Sequence, residues 1–501
     1  MSYIASFDIG TTNVKGILLS KDLSVQHEIS LPLQVNEKNG RIEQNPDDWL
    51  ESVYQIVQQW LSSGVRMNDI RLISFCGQMQ DLIALDSGLC PVRPAILYSD
   101  GRAEEEAKEI INTVGRKRIE EITANPFNGT QPLAKLLWLK KHEPESFKRI
   151  KHVLISAKDY VIAKLTRQTV TDPTSASTAG CMDIRTYDWD ADLIEDIGLN
   201  ENLFAGIVAA GEAAGFIHEE VASVSGLPAG TPVLCGLGDA GAAALGAGVY
   251  SGKRTSIYLG TTGWVAKVSD KCGSTETGMF FLAFNQPDLY LSIAPILNAG
   301  NVFSWAAEVF GASAETHADP DYALFEQMLL EGLSKPNQLL FLPYLNGERC
   351  PVQDMKASGC YVGIKTSTTK EDLGAAALEG VAMSIRQVME VLMKLEHERP
   401  REVIVTGGGA KSKAWCQLLS DMLNVNVKSP IQSPYLPVIG AALLGFAKVG
   451  WGERLPELVE RFLEMTPYDL FQPSADKSSY YQEKYDAYRK LYPALAAIWN
   501  K

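Results

Sequence analysis

Two glycine-threonine turns, far apart in the chain, could each hold a phosphate group. The first is Gly10-Thr11-Thr12 and the second is Gly260-Thr261-Thr262. Each follows one β-rich run and precedes another, which predicts a hairpin with Gly-Thr-Thr as its turn. In such a turn, glycine lets the backbone approach a ligand, consecutive N–H groups converge on it, and two hydroxyls add uncharged donors. Two phosphate turns indicate two related domains closing on one polyphosphate, as in a nucleotide-dependent phosphotransferase or ATPase.

One isolated Gly-Thr-Thr segment is also ordinary turn chemistry, because glycine and threonine are common in turns. The first copy has two charged neighbours, Asp8 before its glycine and Lys15 after its second threonine. A carboxylate at the end of a buried strand can hold Mg²⁺, since this ion prefers a few carboxylate oxygens together with substrate phosphates. Lys15 is either a point charge for the phosphates or a solvated side chain of the second strand.

A third candidate is Asp239, which stands between a predicted buried strand, Pro232 to Cys235, and a predicted helix rich in small residues. One interpretation is a helix N-cap, which favours aspartate and stabilises by about 1 kcal/mol. The other is a general base, because the flanking glycines leave space for a ligand and the carboxylate could accept the proton of an attacking hydroxyl. A carboxylate has two oxygens, so the two roles are compatible.

A glycine run, Gly407-Gly408-Gly409-Ala410, follows a predicted strand, Glu402 to Thr406, and precedes a predicted helix. Such a turn admits a flat base or a phosphate against the backbone. The run matches neither the Walker pattern nor the dinucleotide fingerprint. Beside two phosphate turns, it is the predicted adenosine pocket.

Composition excludes several classes of function. The chain has 501 residues, of which 46% are hydrophobic and 21% charged, and its net charge is −14. The negative charge argues against nucleic acid as a partner. No apolar run approaches about 18 residues and the start lacks a basic segment, so the sequence predicts a cytoplasmic protein without a membrane segment. The eight cysteines are predicted to be buried, reduced thiols, and the six histidines are predicted to lie at the surface, which leaves a carboxylate as the expected general base.

Strand-like and helix-like segments alternate, as in an α/β protein too long for a single core. The sequence predicts two domains, residues 1–247 and 248–501, with the second repeating the theme of the first. The tail after Pro467 is predicted to be a docked terminal helix. Other predicted elements are a helix from Asn45 to Leu61, strands Leu72 to Phe75 and Leu82 to Leu85, and helices Leu133 to Lys141 and Asp372 to Leu395.

These segments together resemble the FGGY carbohydrate kinases, which belong to the actin, sugar kinase and heat-shock ATPase superfamily. The resemblance covers essentially the whole chain. It is carried by Asp8 to Thr12, Pro132 to Leu139, Gly238 to Gly241, Phe341 to Arg349, and Gly359 to Ile364 leading to Ala376-Ala377-Leu378-Glu379. It implies two ribonuclease-H-like domains with an interdomain cleft, ATP and Mg²⁺ as cofactors, Asp8 as a residue that holds the metal, and Asp239 as the base that deprotonates the sugar hydroxyl.

The resemblance assigns the ligands to different parts of the chain. The first domain takes the sugar, and the second takes the adenosine. The residues expected to bind ATP are Gly10, Thr11, Thr12, Lys15, Gly260, Thr261, Thr262, Gly407, Gly408, Gly409 and Ala410. The residues expected to bind the sugar are Met79, Gln80, Asp100 and Asp239.

Within the family, the loop Gly77-Gln78-Met79 and the stretch from Pro94 to Arg102 resemble the xylulose kinases. This implies phosphorylation of D-xylulose to D-xylulose 5-phosphate. Xylulose kinases usually have histidine where this chain has Gln80, and Trp-Asn where it has Tyr98-Ser99. A kinase for another pentulose, a hexulose or a gluconate-like sugar acid therefore stays open. Glycerol is disfavoured, because glycerol kinases have an Arg-Glu pair in place of Met79-Gln80.

A function of another class stays open too. The same two-domain scaffold serves as an ATPase switch in actin-like filaments and chaperones, and a fold alone does not settle function. The glycine-flanked Asp239 and the sugar loops favour the kinase. Oligomerisation is common in the family, which leaves a homodimer open.

Overall fold

The computed structural model describes residues 2–273, 275–311, 321–396, 399–452 and 454–499. Two of the histidines expected at the surface, His317 and His397, lie outside these residues. Up to residue 150 the strands are β1 (Tyr3–Ile9), β2 (Asn13–Ser20), β3 (Val25–Pro32), β4 (Asn36–Lys38), β5 (Arg41–Gln44), β6 (Ile70–Gly77), β7 (Ile83–Leu85) and β8 (Ala95–Ile96). The helices there are α1 (Pro46–Ser62), α2 (Glu104–Val114), α3 (Arg116–Thr123), α4 (Pro132–His142) and α5 (Pro144–Arg149).

The next hundred residues form short elements. These are β9 (His152–Leu154), α6 (Ala157–Thr166), β10 (Val170–Thr171), α7 (Pro173–Ala176), β11 (Met182–Asp183), β12 (Asp188–Trp189), α8 (Ala191–Asp196), β13 (Gly206–Ile207), β14 (Ala213–Phe216), α9 (Glu219–Ser225), β15 (Pro232–Leu234), β16 (Leu237–Gly238) and α10 (Asp239–Gly246).

The second half of the chain has longer helices. Its strands are β17 (Thr255–Leu259), β18 (Gly263–Ser269), β19 (Phe280–Ala283), β20 (Tyr290–Ile296), β21 (Leu340–Leu342), β22 (Cys360–Val362), β23 (Glu402–Thr406), β24 (Asn426–Pro430) and β25 (Tyr468–Phe471). Its helices are α11 (Gly300–Phe310), α12 (Tyr322–Leu333), α13 (Lys370–Glu396), α14 (Lys413–Leu423), α15 (Leu436–Leu443), α16 (Leu455–Met465), α17 (Ser478–Tyr488) and α18 (Leu491–Trp499).

The chain divides into two compact units. The first unit comprises residues 1–250, 281–291 and 435–465, and the second comprises residues 251–280, 292–434 and 466–501. The sequence-based boundary between residues 247 and 248 stays a prediction.

The first unit is built on a mixed sheet with the strand order β14-β15-β6-β1-β2-β3. Strand β1 lies in its centre, antiparallel to β2 and parallel to β6. All seven residues of β1 are buried, which explains its nearly continuous apolar sequence. The strand therefore holds its last polar residue, Asp8, in a fixed position at the edge of the core.

The second unit repeats this arrangement. Five of its strands lie in the order β18-β17-β23-β24-β25. The central strand β17 is antiparallel to β18 and parallel to β23, while β24 is parallel to β23 and antiparallel to β25. In the first unit β2, β1, β6, β15 and β14 pair in the same order and the same directions. The predicted α/β class and the predicted repeat of the first half in the second are confirmed.

Helix α15 packs on the sheet of the first unit, although more than 400 residues separate it from β1. The hydroxyls of Ser6 in β1 and Ser74 in β6 donate to the carbonyls of Val438 and Ala441, each over 2.7 Å. These bonds satisfy carbonyl groups of a helix that is almost wholly buried.

The tail is more elaborate than predicted. Instead of one docked helix it contains a strand, β25, and two helices, α17 and α18. Helix α17 is docked by Lys484, whose ammonium donates to Glu379 over 2.5 Å and to the carbonyl of Asn337 over 2.7 Å. Buried ammonium groups need such partners, so this contact fixes the helix in the second unit.

Two expectations from composition can be compared with the fold. Five of the eight cysteines, Cys76, Cys181, Cys235, Cys350 and Cys416, are buried thiols, as predicted. The prediction is wrong for Cys90 and Cys272, which are exposed, and for Cys360, which is partly exposed. In the described part of the chain, no helix combines the length and the apolar character needed to cross a bilayer.

Candidate active site

The first phosphate turn, Gly10-Thr11-Thr12, connects β1 and β2 as predicted. The N–H of Gly10 donates to the carbonyl of Asn13 over 3.1 Å, which closes the turn. The Thr11 hydroxyl donates to Gln78 Oε1 over 2.8 Å, and the Thr12 side chain is exposed. The turn thus presents its backbone and one hydroxyl at the end of the central strands.

Two buried glutamines support this turn from below. Gln44 Nε2 donates to the Thr11 carbonyl over 2.8 Å, and Gln78 Nε2 donates to Gln44 Oε1 over 2.9 Å. Trp49 Nε1 donates to the same Gln44 oxygen over 3.2 Å. Because each amide both donates and accepts, the turn is tied to β5, α1 and the loop after β6.

Asp8 lies directly before this turn, opposite Lys15 on β2 and beside Cys76 on β6. Burial raises the pKa of its carboxyl group, while the charge of Lys15 and a hydrogen bond from the Cys76 thiol act in the opposite direction. Burial removes water from the Asp8 carboxylate, and Lys15 and Cys76 offset only part of this cost. A cation bound nearby would stabilise the charged form further. Lys15 is half-buried, and its ammonium lies 6.0 Å from the centre of the Tyr435 ring.

Asp239 is the first residue of α10, directly after the short strand β16, so Gly238 occupies the N-cap position and the N-cap interpretation of Asp239 is wrong. One carboxylate oxygen, Oδ1, accepts the N–H of Ala240 over 2.7 Å, and none of the described residues donates to Oδ2. Burial raises the pKa of the Asp239 carboxyl to about 7, and the charges of Asp8 and Asp172 act in the same direction. One carboxylate oxygen of Asp239 thus binds the first turn of α10, and the other is left to accept a proton. A pKa of about 7 suits a general base.

Met79 stands directly against the residue that precedes Asp239. A Cβ atom on Gly238 would lie 2.0 Å from Met79 Sδ and 3.0 Å from Ser175 Oγ. Only glycine leaves room for the methionine side chain at this point. The structure therefore brings together two of the predicted sugar-binding residues, Met79 and Asp239.

Gln80 is held in a strained position beside them. Its backbone has φ +65°, in the left-handed region that glutamine rarely adopts. Its Nε2 donates to Thr130 Oγ1 over 2.7 Å, and its carbonyl accepts the ammonium of Lys135 over 3.0 Å. Strain of this kind persists where the surroundings fix it, and it is concentrated at ligand sites.

A buried lysine joins the two predicted sugar loops. Lys135 donates to the carbonyl of Gln80 and, over 2.7 Å, to the carbonyl of Leu97. Burial lowers the pKa of this ammonium to about 7. Nearby, Asp81 accepts the N–H of Tyr98 over 2.9 Å, while its second oxygen is buried and has no hydrogen-bond partner among the described residues. Burial raises the pKa of the Asp81 carboxyl well above its usual range.

Tyr98 also belongs to this site. Its side chain is 43% exposed, which leaves it available to a ligand. Burial of its hydroxyl raises the pKa of Tyr98, a hydrogen bond with Thr11 lowers it, and the charges of Asp239 and Asp81 raise it. The ring therefore lies between the first phosphate turn and the acidic groups of the site.

Asp100, the remaining predicted sugar contact, is fully buried, and both of its carboxylate oxygens already accept two hydrogen bonds. One oxygen accepts the backbone N–H and Nε of Arg102, each over 2.9 Å. The other accepts the N–H of Ile42 over 2.6 Å and Nη2 of Arg102 over 2.5 Å. The structure uses this carboxylate to hold Arg102, and direct contact with a sugar stays a prediction.

In the second unit, two predicted nucleotide segments lie at one end of the sheet. The turn Gly260-Thr261-Thr262 joins β17 to β18, and the Gly407 run follows β23, which is parallel to β17. A Cβ atom on Gly407 would lie 2.5 Å from the carbonyl oxygen of Leu259, and Gly407 has φ +89°. The backbone of the run thus passes directly over the end of β17, at a position that requires glycine.

Both segments present backbone to solvent. Thr261, Thr262 and Gly408 are exposed. The carbonyls of Gly260 and Thr261 accept N–H groups of Gly300 and Asn301, at the start of α11, over 2.8 Å and 3.0 Å.

The end of the Gly407 run is anchored. The carbonyl of Ala410 accepts the Ser429 hydroxyl over 3.2 Å. The carbonyl group of Ala410, the last predicted member of the run, therefore faces β24. Gly408 remains accessible.

Several residues of the site were missed by sequence reasoning. Gln44, Asp81, Lys135 and Asp172 were assigned no role, and Tyr98 was noted only as a departure from the xylulose kinase pattern. A lysine within the otherwise apolar Leu133 to Leu139 run was the one available signal, because a buried charge needs a specific partner. For Gln44 and Asp172, no local pattern distinguishes them from surface residues.

No group of three or more histidine, cysteine, aspartate or glutamate residues that could hold a metal ion occurs in the part of the chain that the structure describes.

Comparison with known proteins agrees with this geometry. The model of the FGGY family of carbohydrate kinases, N-terminal domain, matches residues 3–246, and that of the C-terminal domain matches residues 255–449. The chain is 30% identical to a xylulose kinase of Bacillus subtilis, over 98% of this chain and 97% of the relative.

Solved structures of similar proteins cover the whole chain. A xylulose kinase from Rhodospirillum rubrum is 25% identical, with a TM-score of 0.90 over 100% of both chains. A gluconate kinase from Lactobacillus acidophilus is also 25% identical, with a TM-score of 0.90 over 100% of this chain and 99% of that one. These neighbours confirm the two-domain, ribonuclease-H-like α/β fold, and the family models assign the chain: it belongs to the FGGY family of carbohydrate kinases.

Proposed function

We propose that the protein transfers the terminal phosphate of ATP to the terminal hydroxyl of D-xylulose, forming D-xylulose 5-phosphate and ADP. The observation that carries this proposal is the carboxylate of Asp239. One of its oxygens accepts no hydrogen bond from the described residues, its charge acts on Tyr98, and Met79 lies against the preceding Gly238. A base in this position would accept the proton of the sugar hydroxyl as the phosphate arrives. The xylulose kinase relatives support the choice of sugar.

The second unit would bind the nucleotide. Its exposed Gly408 and the open backbone of the Gly407 run suit a flat base or a phosphate. The exposed hydroxyls of Thr261 and Thr262 would donate to phosphate oxygens without adding charge. In the first unit, the turn from Gly10 to Thr12 and the ammonium of Lys15 would bind the phosphate group that is transferred.

Mg²⁺ would be held by Asp8. The carboxylate fits this role because burial disfavours its charge more than Lys15 and Cys76 favour it, as its raised pKa indicates. A bound cation would therefore stabilise the carboxylate. When bound, the ion would neutralise developing charge on the phosphate oxygens. Asp8 itself would orient the ion from a strand whose position is fixed on both sides by hydrogen-bonded neighbours.

The charge of the site favours a neutral sugar over a sugar acid. Asp8 and Asp81 each lie close enough to Asp239 for the charges to interact. Lys135 is engaged with two backbone carbonyls, and Arg102 is engaged with Asp100. A carboxylate group on the substrate would be repelled by these acidic side chains. Lys135 and Arg102 could not neutralise it, because each is already engaged with other groups of the protein, and this disfavours gluconate.

An assay of sugar-dependent ADP formation tests the proposal. Ketopentoses, ketohexoses, polyols and aldonic acids are each supplied with ATP and Mg²⁺. We expect D-xylulose to give the highest kcat/KM. A preference for an aldonic acid would overturn the assignment of the sugar, and ADP formation indifferent to any sugar would point to an ATPase switch instead. Placement in the cytoplasm and a homodimer stay predictions.

Activity is expected to depend on pH through Asp239. Because its pKa is about 7 and only the ionised form accepts a proton, kcat/KM for the sugar should rise with pH through this value and level off above it. The raised pKa of Asp8 acts in the same direction, since protonation would release the metal. Steady-state rates from about pH 5.5 to about pH 8.5 measure the profile. A profile that falls across this range would contradict the role of Asp239.

The Gly407→Ala substitution is expected to weaken nucleotide binding. A Cβ atom 2.5 Å from the Leu259 carbonyl, on a backbone with positive φ, would displace the run. Strain of about 1–3 kcal/mol corresponds to a roughly 5-fold to 150-fold rise in the KM for ATP. Gly230→Ala is the control, because Gly230 also has positive φ but no atom within 4 Å of the added carbon. An equal change of KM in both variants would count against the proposed adenosine site.

A further inference from the structure

A fully buried group of three charges lies behind Asp239. The ammonium of Lys158 contacts Asp159 Oδ1 over 2.6 Å and Asp172 Oδ1 over 2.9 Å. All three side chains have no exposed surface. Burial of such groups costs free energy that their mutual attraction only partly returns, so apolar residues would serve stability as well. The group therefore calls for an explanation other than stability.

The two carboxylates have different second partners. Asp159 Oδ2 accepts the N–H of Ser156 over 3.0 Å and so caps the start of α6. Asp172 Oδ2 accepts the N–H of Gly238 over 3.3 Å. Only the Asp172 carboxylate thus reaches the residue that precedes Asp239.

Further bonds fix the orientation of Asp172. Its Oδ2 also accepts the N–H groups of Thr174 and Ser175, over 3.0 Å and 3.2 Å, and its Oδ1 accepts the Ser175 hydroxyl over 2.6 Å. The Ser175 hydroxyl lies against Gly238, because a Cβ atom there would be 3.0 Å from it. Asp172 therefore holds the N–H of Gly238, while the Ser175 hydroxyl and the Met79 side chain both fill the space where a side chain at Gly238 would lie.

We propose that Asp172 is a positioning residue for phosphoryl transfer: by holding the N–H of Gly238, it fixes the start of α10 and with it the carboxylate of Asp239 beside Met79. The inference rests on the base role of Asp239 proposed above. A base must lie within hydrogen-bond reach of the hydroxyl, so a shift of about 1 Å reduces the rate sharply.

Matched substitutions at the two carboxylates test the inference. Asn has the shape of Asp but a single acceptor atom, so Asp172→Asn cannot serve both Lys158 and Gly238, and Asp159→Asn cannot serve both Lys158 and Ser156. We expect Asp172→Asn to lower kcat roughly 10-fold to 100-fold per folded molecule, with the KM for ATP unchanged. Asp159→Asn should change kcat by less than about 3-fold.

A double substitution separates positioning from a structural role. If Asp172 acts through Asp239, adding Asp172→Asn to Asp239→Asn should lower kcat no further than Asp239→Asn does alone. A structural role would instead multiply the two losses. Multiplied losses, or equal losses in Asp172→Asn and Asp159→Asn, would overturn the inference.

Ser175→Ala provides a milder variant in case the buried charge variants do not fold. It removes one bond to Asp172 and leaves all charges in place, and we expect a roughly 3-fold to 10-fold lower kcat with an unchanged KM for ATP. An unchanged kcat would overturn the inference. A wild-type protein that phosphorylates no sugar would overturn the proposed function itself. A wild-type kinase that needs Asp239 but tolerates both Asp172→Asn and Ser175→Ala would overturn only the positioning role.

Discussion

Replacement of Asp239 by asparagine is expected to lower turnover roughly 10²-fold to 10⁴-fold, because the amide cannot accept the proton of the sugar hydroxyl. The amide oxygen can still accept the N–H of Ala240, so the start of α10 should be retained. Nucleotide binding should also be retained. Steady-state kinetics with D-xylulose and a direct measurement of ATP affinity test both parts.

The control for this variant is Asp188→Asn, at an exposed position on β12. It makes the same chemical change outside the site and should leave turnover unchanged. Near-normal turnover in Asp239→Asn would remove Asp239 from the role of base. A joint loss of turnover and ATP affinity would show that the substitution damages the fold, and thermal unfolding would detect this.

Removal of the Asp8 carboxylate should have the second largest effect. We expect Asp8→Ala to lower kcat roughly 10²-fold or more, because a bound ion contributes several kcal/mol to stabilising the charge of the transferred phosphate. The concentration of Mg²⁺ needed for half-maximal activity should rise. Titration of activity against Mg²⁺, at fixed ATP and sugar, measures both effects.

Ser6→Ala is the matched control on the same strand. It removes the buried hydroxyl that donates to Val438 and so perturbs β1 without touching a carboxylate. Its stability should fall, while its Mg²⁺ requirement should equal that of the wild-type protein. An unchanged Mg²⁺ requirement in Asp8→Ala would contradict the assignment of Asp8 to the metal.

Local sequence was sufficient to predict the hairpins and the helix boundaries. The run from Tyr3 is apolar because β1 is buried on both faces, and the Gly-Thr-Thr turn marks its end. The helix predicted from Asn45 to Leu61 is observed from Pro46 to Ser62, since Asn45 caps it and Pro46 occupies its first turn. These signals depend on neighbours within a few residues, so one sequence contains them.

Contacts between distant segments could not be predicted in the same way. The Gly407 run reaches the Gly260 turn because β23 lies parallel to β17, and a single sequence does not reveal strand pairing over 140 residues. Helix α15 packs on the sheet of the first unit, because serine hydroxyls on β1 and β6 donate hydrogen bonds to its carbonyl groups. Hydrogen bonds from serine leave no periodic pattern in sequence.

The supporting residues of the site were hidden for a related reason. Asp172 and Lys158 are polar residues in mixed segments, where a solvated position is the ordinary expectation. Their burial follows from the pairing of one with the other and with Asp159, which only the fold brings about. Asp239 could be selected as a candidate from the sequence because glycines on both sides, and a strand and helix beyond them, are local features, and its role as the base stays a prediction.

The central claim is that the protein transfers the terminal phosphate of ATP to a hydroxyl group of D-xylulose. The most direct test measures ADP and D-xylulose 5-phosphate in the same reaction mixture, with and without D-xylulose. The account predicts that the two products form in equal amounts and that ADP formation nearly stops when the sugar is omitted. ADP formed at the same rate without sugar, or consumed ATP with no phosphorylated sugar, would contradict it.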